Sequence, residues 1–137
     1  MSMADFNQQV ITEFRENEGR VGGMFDGMPL LLLHHVGAKS GAERISPLVY
    51  LPDGDRYVIF ASKAGAPSHP SWFHNIMASP ETEIEVGTEK IDVVAQELSG
   101  EERDRLYNLQ VERQPQFGEY QSKTTRKIPV VALTPVG

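Results

Sequence analysis

Three short segments hold the residues best placed to do chemistry. The first runs from Gly37 to Pro47 (GAKSGAERISP), where two glycines flank Lys39 and Ser40, and Arg44 follows five residues after the lysine. A glycine-rich turn exposes backbone amides, and cations beside it suit an anionic ligand. On composition alone the same run is a solvated hairpin turn with surface charges, and for so short a motif that plainer reading is favoured. The second segment, Ala61 to Gly65 (ASKAG), lies just past a strand-like stretch. Its small residues permit close approach of a ligand and Lys63 adds a cation, but an ordinary turn fits equally well. The third is His69 to Asn75 (HPSWFHN), with the only tryptophan. Trp72, Phe73, Ile76 and Met77 share one helical face, so core packing is their default role. Asn75 falls off that face and is free to cap a strand end or meet a ligand.

Several common engines are excluded. The run before Lys39 lacks the glycine spacing of a phosphate-binding P-loop, no G-x-G-x-x-G follows a strand, and there is no G-x-S-x-G nucleophile elbow. Without cysteine there are no disulfides, thiolate metal sites or thiol nucleophiles. The four histidines, at 34, 35, 69 and 74, lack metal-ligand spacing, so no metal is expected. His34 and His35 are adjacent on a strand and point to opposite faces. A net charge of −6 disfavours nucleic acid as a partner. The N-terminus has no signal-peptide pattern and no apolar run approaches the roughly 20 residues of a membrane span. The expectation is a cytoplasmic protein, with peripheral membrane association left open.

The elements that must position these segments follow from periodicity. Phe6, Val10, Ile11 and Phe14 mark an amphipathic helix over 4–17, followed by a glycine-rich crossing, Gly19 to Gly27. Strands are predicted at Leu30–Val36, Arg44–Leu51, Tyr57–Ala61, Glu83–Val86, Lys90–Leu98 and Ile128–Leu133. Pro52-Asp53-Gly54-Asp55 and Gly87-Thr88 supply turns. Pro70 suits the first turn of a helix that ends at Ser79-Pro80. Ser99-Gly-Glu-Glu102 has capping-box spacing and predicts a helix with Leu106 and Leu109 inward. The 39% hydrophobic composition over 137 residues suits a single domain, 1–137. Its class is α+β: about six strands curling into a small barrel, with an N-terminal helix and two further helices.

In this order the segments resemble the deazaflavin-dependent nitroreductase family, whose members use coenzyme F-420. The matching pieces are Gly37/Lys39/Ser40/Gly41, Arg44/Pro47, Asp53 to Tyr57, Ala61 to Trp72, Asn75, and Tyr120 ahead of Arg126 to Val131. The resemblance implies a split β-barrel (FMN-binding-like) over 29–137, preceded by a variable helix and glycine-rich segment over 1–28. It implies a cofactor with a phosphate and a polyglutamate tail, gripped by Lys39, Ser40 and Arg44. Ser46, Pro47, Ser62, Lys63, Ala64 and Gly65 would then meet the tail or the ring, with Pro70, Trp72 and Asn75 buttressing the pocket. Tyr120 is the implied substrate-side residue, with Tyr50 second. The implied activity is hydride transfer from reduced F-420 to an electron-poor acceptor, a quinone or nitroaromatic. FMN or a haem-type ligand in the same fold, or a non-catalytic F-420 carrier, are the alternatives, and a homodimer is left open. Two departures stand out: Ala38 replaces a frequent second basic residue, and Phe73 a frequent tyrosine.

Overall fold

Leu30 to Leu33 are four consecutive leucines, and a strand buries such a run only when both of its faces are covered. The computed structural model, which describes residues 3–136, meets that demand with a closed antiparallel barrel. In β1 (Leu30–Val36), Leu31 and Leu33 join the barrel interior with Ile59, Ile84, Val131 and Leu133. Leu30 and Leu32 face outward and pack under Val10, Ile11 and Phe14 of α1 (Met3–Glu16).

The remaining strands are β2 (Glu43–Asp53), β3 (Arg56–Phe60), β4 (Glu81–Val86), β5 (Glu89–Leu98) and β6 (Val130–Pro135), in the barrel order β1-β2-β3-β6-β5-β4. The Asp-Gly signal marks a tighter hairpin than the four-residue turn expected. Pro52 and Asp53 pair with Tyr57 and Arg56, leaving Gly54 and Asp55 as the loop, with Gly54 at φ +62°. The last strand starts at Val130 rather than Ile128, although Ile128 is fully buried. The seam that closes the barrel is short: β1 meets β4 only through Leu32↔Glu85 and Leu33↔Ile84. Outside it, Glu85 takes a bidentate ion pair from Arg15 of α1, at 2.7 and 3.1 Å, and a 2.6 Å contact from His34 Nε2.

α2 (Ser71–Ala78) sends Trp72, Phe73 and Ile76 into the interior cluster. α3 (Gly100–Arg113) and α4 (Gln116–Ser122) cover the outer face of β3 and β6, with Leu106, Tyr107 and Phe117 on Val58, Phe60, Val130 and Ala132. There are thus three helices after α1, not two; Pro115 starts a new turn where α3 stops. Ser99 does precede α3, but its side chain makes no capping hydrogen bond, and Glu102 reaches Arg56 at 3.3 Å instead. Leu109 is exposed, contrary to expectation. The inward stripe is Arg103, Leu106, Tyr107 and Gln110, an i, i+3, i+4, i+7 pattern two of whose members are polar.

β2 is what opens the barrel. Residues 43–49 pair with β1, whereas only residues 50–53 pair with β3. Beyond Phe60 the chain leaves β3, so among the described residues no strand pairs with the β3-side edge of β2 from Ser46 to Val49. Where the chain leaves α1, Gly19, at φ +94°, sits against Gly87 of the β4–β5 turn; a Cβ there would lie 2.8 Å from the Gly87 Cα. Gly19→Ala therefore combines a left-handed backbone penalty with a backbone clash, and should cost about 2 kcal/mol or more, read as a lowered urea midpoint. An unchanged midpoint would contradict this packing.

Candidate active site

The opening beside β2 holds a pocket of about 260 Å³. One wall is Pro47, Leu48 and Val49 of β2. Opposite lie Ser62, Lys63 and Ala64, with Phe60, Pro70 and Trp72 between them. α4 supplies Gln116, Phe117 and Tyr120, and the glycine-rich segment supplies Phe25 and Met28. Tyr120 is half-buried and packs edge-on against Phe117, ring centroids 5.1 Å apart. The pocket is mostly apolar, with few polar groups, as small-molecule sites generally are.

Lys63 and Ala64 both adopt left-handed backbone, φ +47° and +53°, which is uncommon for residues other than glycine. Backbone bonds from Gly65 N to Ser62 O (2.9 Å) and Ala66 N to Lys63 O (3.0 Å) close this turn, and one side chain clamps the residues on either side of it. Arg126 donates to the carbonyls of Ala61 (3.1 Å), Ser62 (2.8 Å) and Ala66 (2.9 Å), and its Nη1 lies 2.9 Å from His69 Nδ1. His69 must accept in that contact, so it is neutral; burial first, and then the guanidinium, push its pKa down. Gly65, at φ +83°, completes the turn. A Cβ at 65 would lie 2.8 Å from the Tyr120 carbonyl oxygen, so glycine lets α4 close on the turn. Arg103 and Gln121 anchor α4 from behind: both Arg103 Nη2 (2.8 Å) and Nε (3.2 Å) donate to the Ile128 carbonyl, Nη2 also reaches Gln121 Oε1 (3.0 Å), and Gln121 Nε2 donates to the Arg126 carbonyl (2.8 Å).

At the other end of β2, the Gly37–Ala42 turn closes through Gly37 N to Ala42 O and Gly41 N to Gly37 O, both 2.9 Å. The Ser40 hydroxyl accepts the Ala42 amide at 3.2 Å and sits where a Cβ at Gly37 would be, so it shapes the turn. Lys39 and Arg44 are exposed, and neither has an ion-pair partner among the described residues. Behind the turn, buried Asn75 accepts the Ala38 amide through Oδ1 (2.9 Å), and its Nδ2 lies 2.9 Å from His35 Nδ1. His35 Nε2 is 2.9 Å from Ser46 Oγ. Asn75 is thus a buried tie under the turn rather than a pocket wall. Burial, with Arg44 and His34 adding to it, lowers the His35 pKa to about 4.

The structure therefore gathers Pro47, Ser62, Lys63, Ala64, Pro70, Trp72 and Tyr120 around one pocket, with Gly65 directly behind. Lys39, Ser40, Arg44 and Ser46 lie toward the far end of β2; from Arg44 to Pro47 is three residues, about 10 Å of strand. Tyr50 does not line the pocket. It packs against the interior cluster and edge-on to Tyr57, at 5.4 Å, and burial raises its pKa. Trp72 serves both readings, belonging to the core and to the pocket wall. A larger hollow of about 600 Å³, lined by Gln8, Arg15, His34, Arg44 and Glu83 among others, mixes both charge signs and shares only Arg44 with the expected site. Sequence reasoning missed His35 and the clamp of Arg126. The only signal for the clamp was the place of Arg126 in the C-terminal motif. Among the described residues no cluster of three His, Asp or Glu side chains is arranged to hold a metal, and no helix is long and apolar enough to cross a membrane.

Comparison with known proteins converges on one group. Residues 7–135 match a family model described as F-420H(2)-dependent quinone reductase. The chain is 42% identical over 125 residues to an F-420H(2)-dependent quinone reductase of Mycobacterium tuberculosis, covering 88% of this chain and 84% of that one. A solved F-420-H2-dependent reductase, FDR-A, superposes with a TM-score of 0.70 at 42% identity, over 77% of this chain and 93% of its own. Another structure, described as a domain-swapped dimer, gives 0.72 at 37% identity over 96% and 99%.

The neutral, buried His35 has a thermodynamic consequence. Its pKa is lower folded than unfolded, so the stability present above about pH 6.5 falls as pH drops toward 4. Between pH 7 and pH 5 the loss from this residue should be about 2 kcal/mol. Urea unfolding at the two pH values should show that loss in the native sequence and not in His35→Phe. Equal losses in both proteins would refute it.

Proposed function

The chain belongs to the F-420H(2)-dependent quinone reductase family, and from that premise we propose that it reduces a quinone with F-420H2, binding the deazaflavin ring in the β2 pocket and the acidic tail at Lys39 and Arg44. The observation that carries this reading is the layout around β2: an apolar pocket at Pro47–Val49, with Lys39 in the preceding turn and Arg44 near the strand's start, neither ion-paired among the described residues. A pocket of about 260 Å³ is at the lower limit of ligand sites, enough for a ring system but not for the whole cofactor. The tail then has to run outside, along the edge that no strand covers.

Reduced F-420, when bound, supplies a hydride. What the protein adds is position and exclusion. Lys39 and Arg44 offer charge-assisted hydrogen bonds to phosphate and carboxylate oxygens. The small Ser62–Ala64 wall permits close approach of a flat ring, and the clamp of Arg126 keeps it in place. Trp72, Phe117, Phe25 and Met28 keep water from the acceptor. A quinone that takes up a hydride also needs one proton on oxygen, and the Tyr120 hydroxyl is the group assigned to orient that oxygen or donate to it; solvent restores the proton afterwards. Nitroaromatics share the electron-poor character and belong in the acceptor panel. The relative described as a domain-swapped dimer supports pairing of this chain as well.

Turnover is read by following absorbance as reduced F-420 is mixed with menadione and protein. Rates no higher than the protein-free control across varied quinones would overturn the enzyme reading, as would micromolar FMN binding without F-420 binding. Lys39→Glu should weaken F-420 binding roughly tenfold or more while leaving the urea midpoint in place. Tyr120→Phe should lower turnover about tenfold or more with F-420 affinity unchanged; equal turnover would remove the role assigned to that hydroxyl.

A further inference from the structure

We propose that His35 is a positioning residue that fixes the Ser46 hydroxyl as a hydrogen-bond donor to the anionic part of the bound cofactor. The inference rests on the functional reading above for the ligand, but its structural half follows from donors and acceptors alone. A backbone amide can only donate, so the Ala38 N–H fixes Oδ1 of Asn75 as the atom facing the turn. Nδ2 of Asn75 must then face His35, and it too can only donate, so Nδ1 of His35 carries no proton. A neutral imidazole with a bare Nδ1 holds its proton on Nε2 and donates it to Ser46 Oγ. Every link runs one way: Ala38 to Asn75, Asn75 to His35, His35 to Ser46.

The hydroxyl at the end of this chain has accepted a hydrogen bond and still has its own proton to give. Among the described residues nothing accepts it. Ser46 shares a face of β2 with Arg44, two residues away, because the strand partners of both, Leu33 and His35, lie on one face of β1. The ligand this favours is an oxyanion, phosphate or carboxylate, reached by the Arg44 guanidinium and the Ser46 O–H together. Protonated His35 would set an N–H against the Asn75 amide hydrogens, and the low pKa of this ring fits that exclusion. The same relay ties the Ala38 amide of the Lys39 turn to the strand, so the two parts of the oxyanion site move as one.

Two measurements test the proposal. In cofactor-free protein, 15N chemical shifts should show His35 as the neutral Nε2–H tautomer; an Nδ1–H tautomer overturns it, with no need for a folded variant. Then F-420 affinity is read by cofactor fluorescence for the native sequence, Ser46→Ala, His35→Phe and the double variant. Ser46→Ala should weaken binding about five- to tenfold when His35 is present and less than twofold in His35→Phe. A purely structural His35 would instead give multiplied losses, and that result overturns the positioning role while leaving the functional reading intact. If the unaltered protein binds no F-420, the functional reading falls and this proposal with it.

Discussion

A guanidinium group presents five N–H donors in a fixed plane, and Arg126 turns them on a loop whose own backbone bonds close only its tip. Three carbonyls and one imidazole nitrogen converge on it. Two non-glycine residues in left-handed backbone each carry a conformational cost, and the clamp offsets it. Remove that hold and Ser62–Gly65 has no fixed distance from β2. The opening in the barrel, the seat of α4 against Gly65 and the reach of Tyr120 into the pocket all depend on where this loop stays. The pocket is therefore built on backbone carbonyls as much as on side chains.

Charge tells a complementary story. The chain is acidic overall, yet its buried and half-buried arginines are matched: Arg56 with Asp53, Arg103 with Asp104 and the Ile128 carbonyl, and Arg126 with three loop carbonyls; exposed Arg15 pairs with Glu85. Lys39 and Arg44, like several other exposed cations, have no ion-pair partner among the described residues, but they flank a turn whose glycines and amides bring the backbone close. An exposed cation is ordinary by itself. One in the turn before β2 and one near the strand's start, with an apolar pocket farther along, give the proposed site a direction, from acidic tail to flat ring.

Much of the frame was legible in the sequence. The four-leucine run announced a strand covered on both faces, Asp-Gly placed the β2–β3 hairpin, and the apolar spacing of Trp72, Phe73 and Ile76 placed α2. What stayed hidden was polar and long-range. Arg103 and Gln110 occupy the inward stripe of α3, so hydrophobic periodicity chose Leu109 wrongly. α4 is seven residues long and shows no repeat of its own. Asn75 was recognised as unusual because it left the apolar face, but its partners, Ala38 and His35, are 37 and 40 residues away. Sequence patterns report local periodicity; they do not report which distant amide a buried carboxamide will meet.

The short seam between β1 and β4 bears on the order in which the molecule is made. α1 and β1 leave the ribosome before β4, yet Glu85, which receives Arg15 and His34, lies 70 residues beyond the arginine. Only two residue pairs close the barrel there, and the loop to be closed is long, so its entropy must be met before the ladder gives anything back. The ion pair that ties α1 to the barrel thus cannot form until β4 has been made. Until β4 arrives, a leucine-rich strand waits with one edge unpaired, and a second copy of the same chain offers an equivalent β4. Whether the seam closes within one chain or between two then becomes a contest between tether length and local concentration.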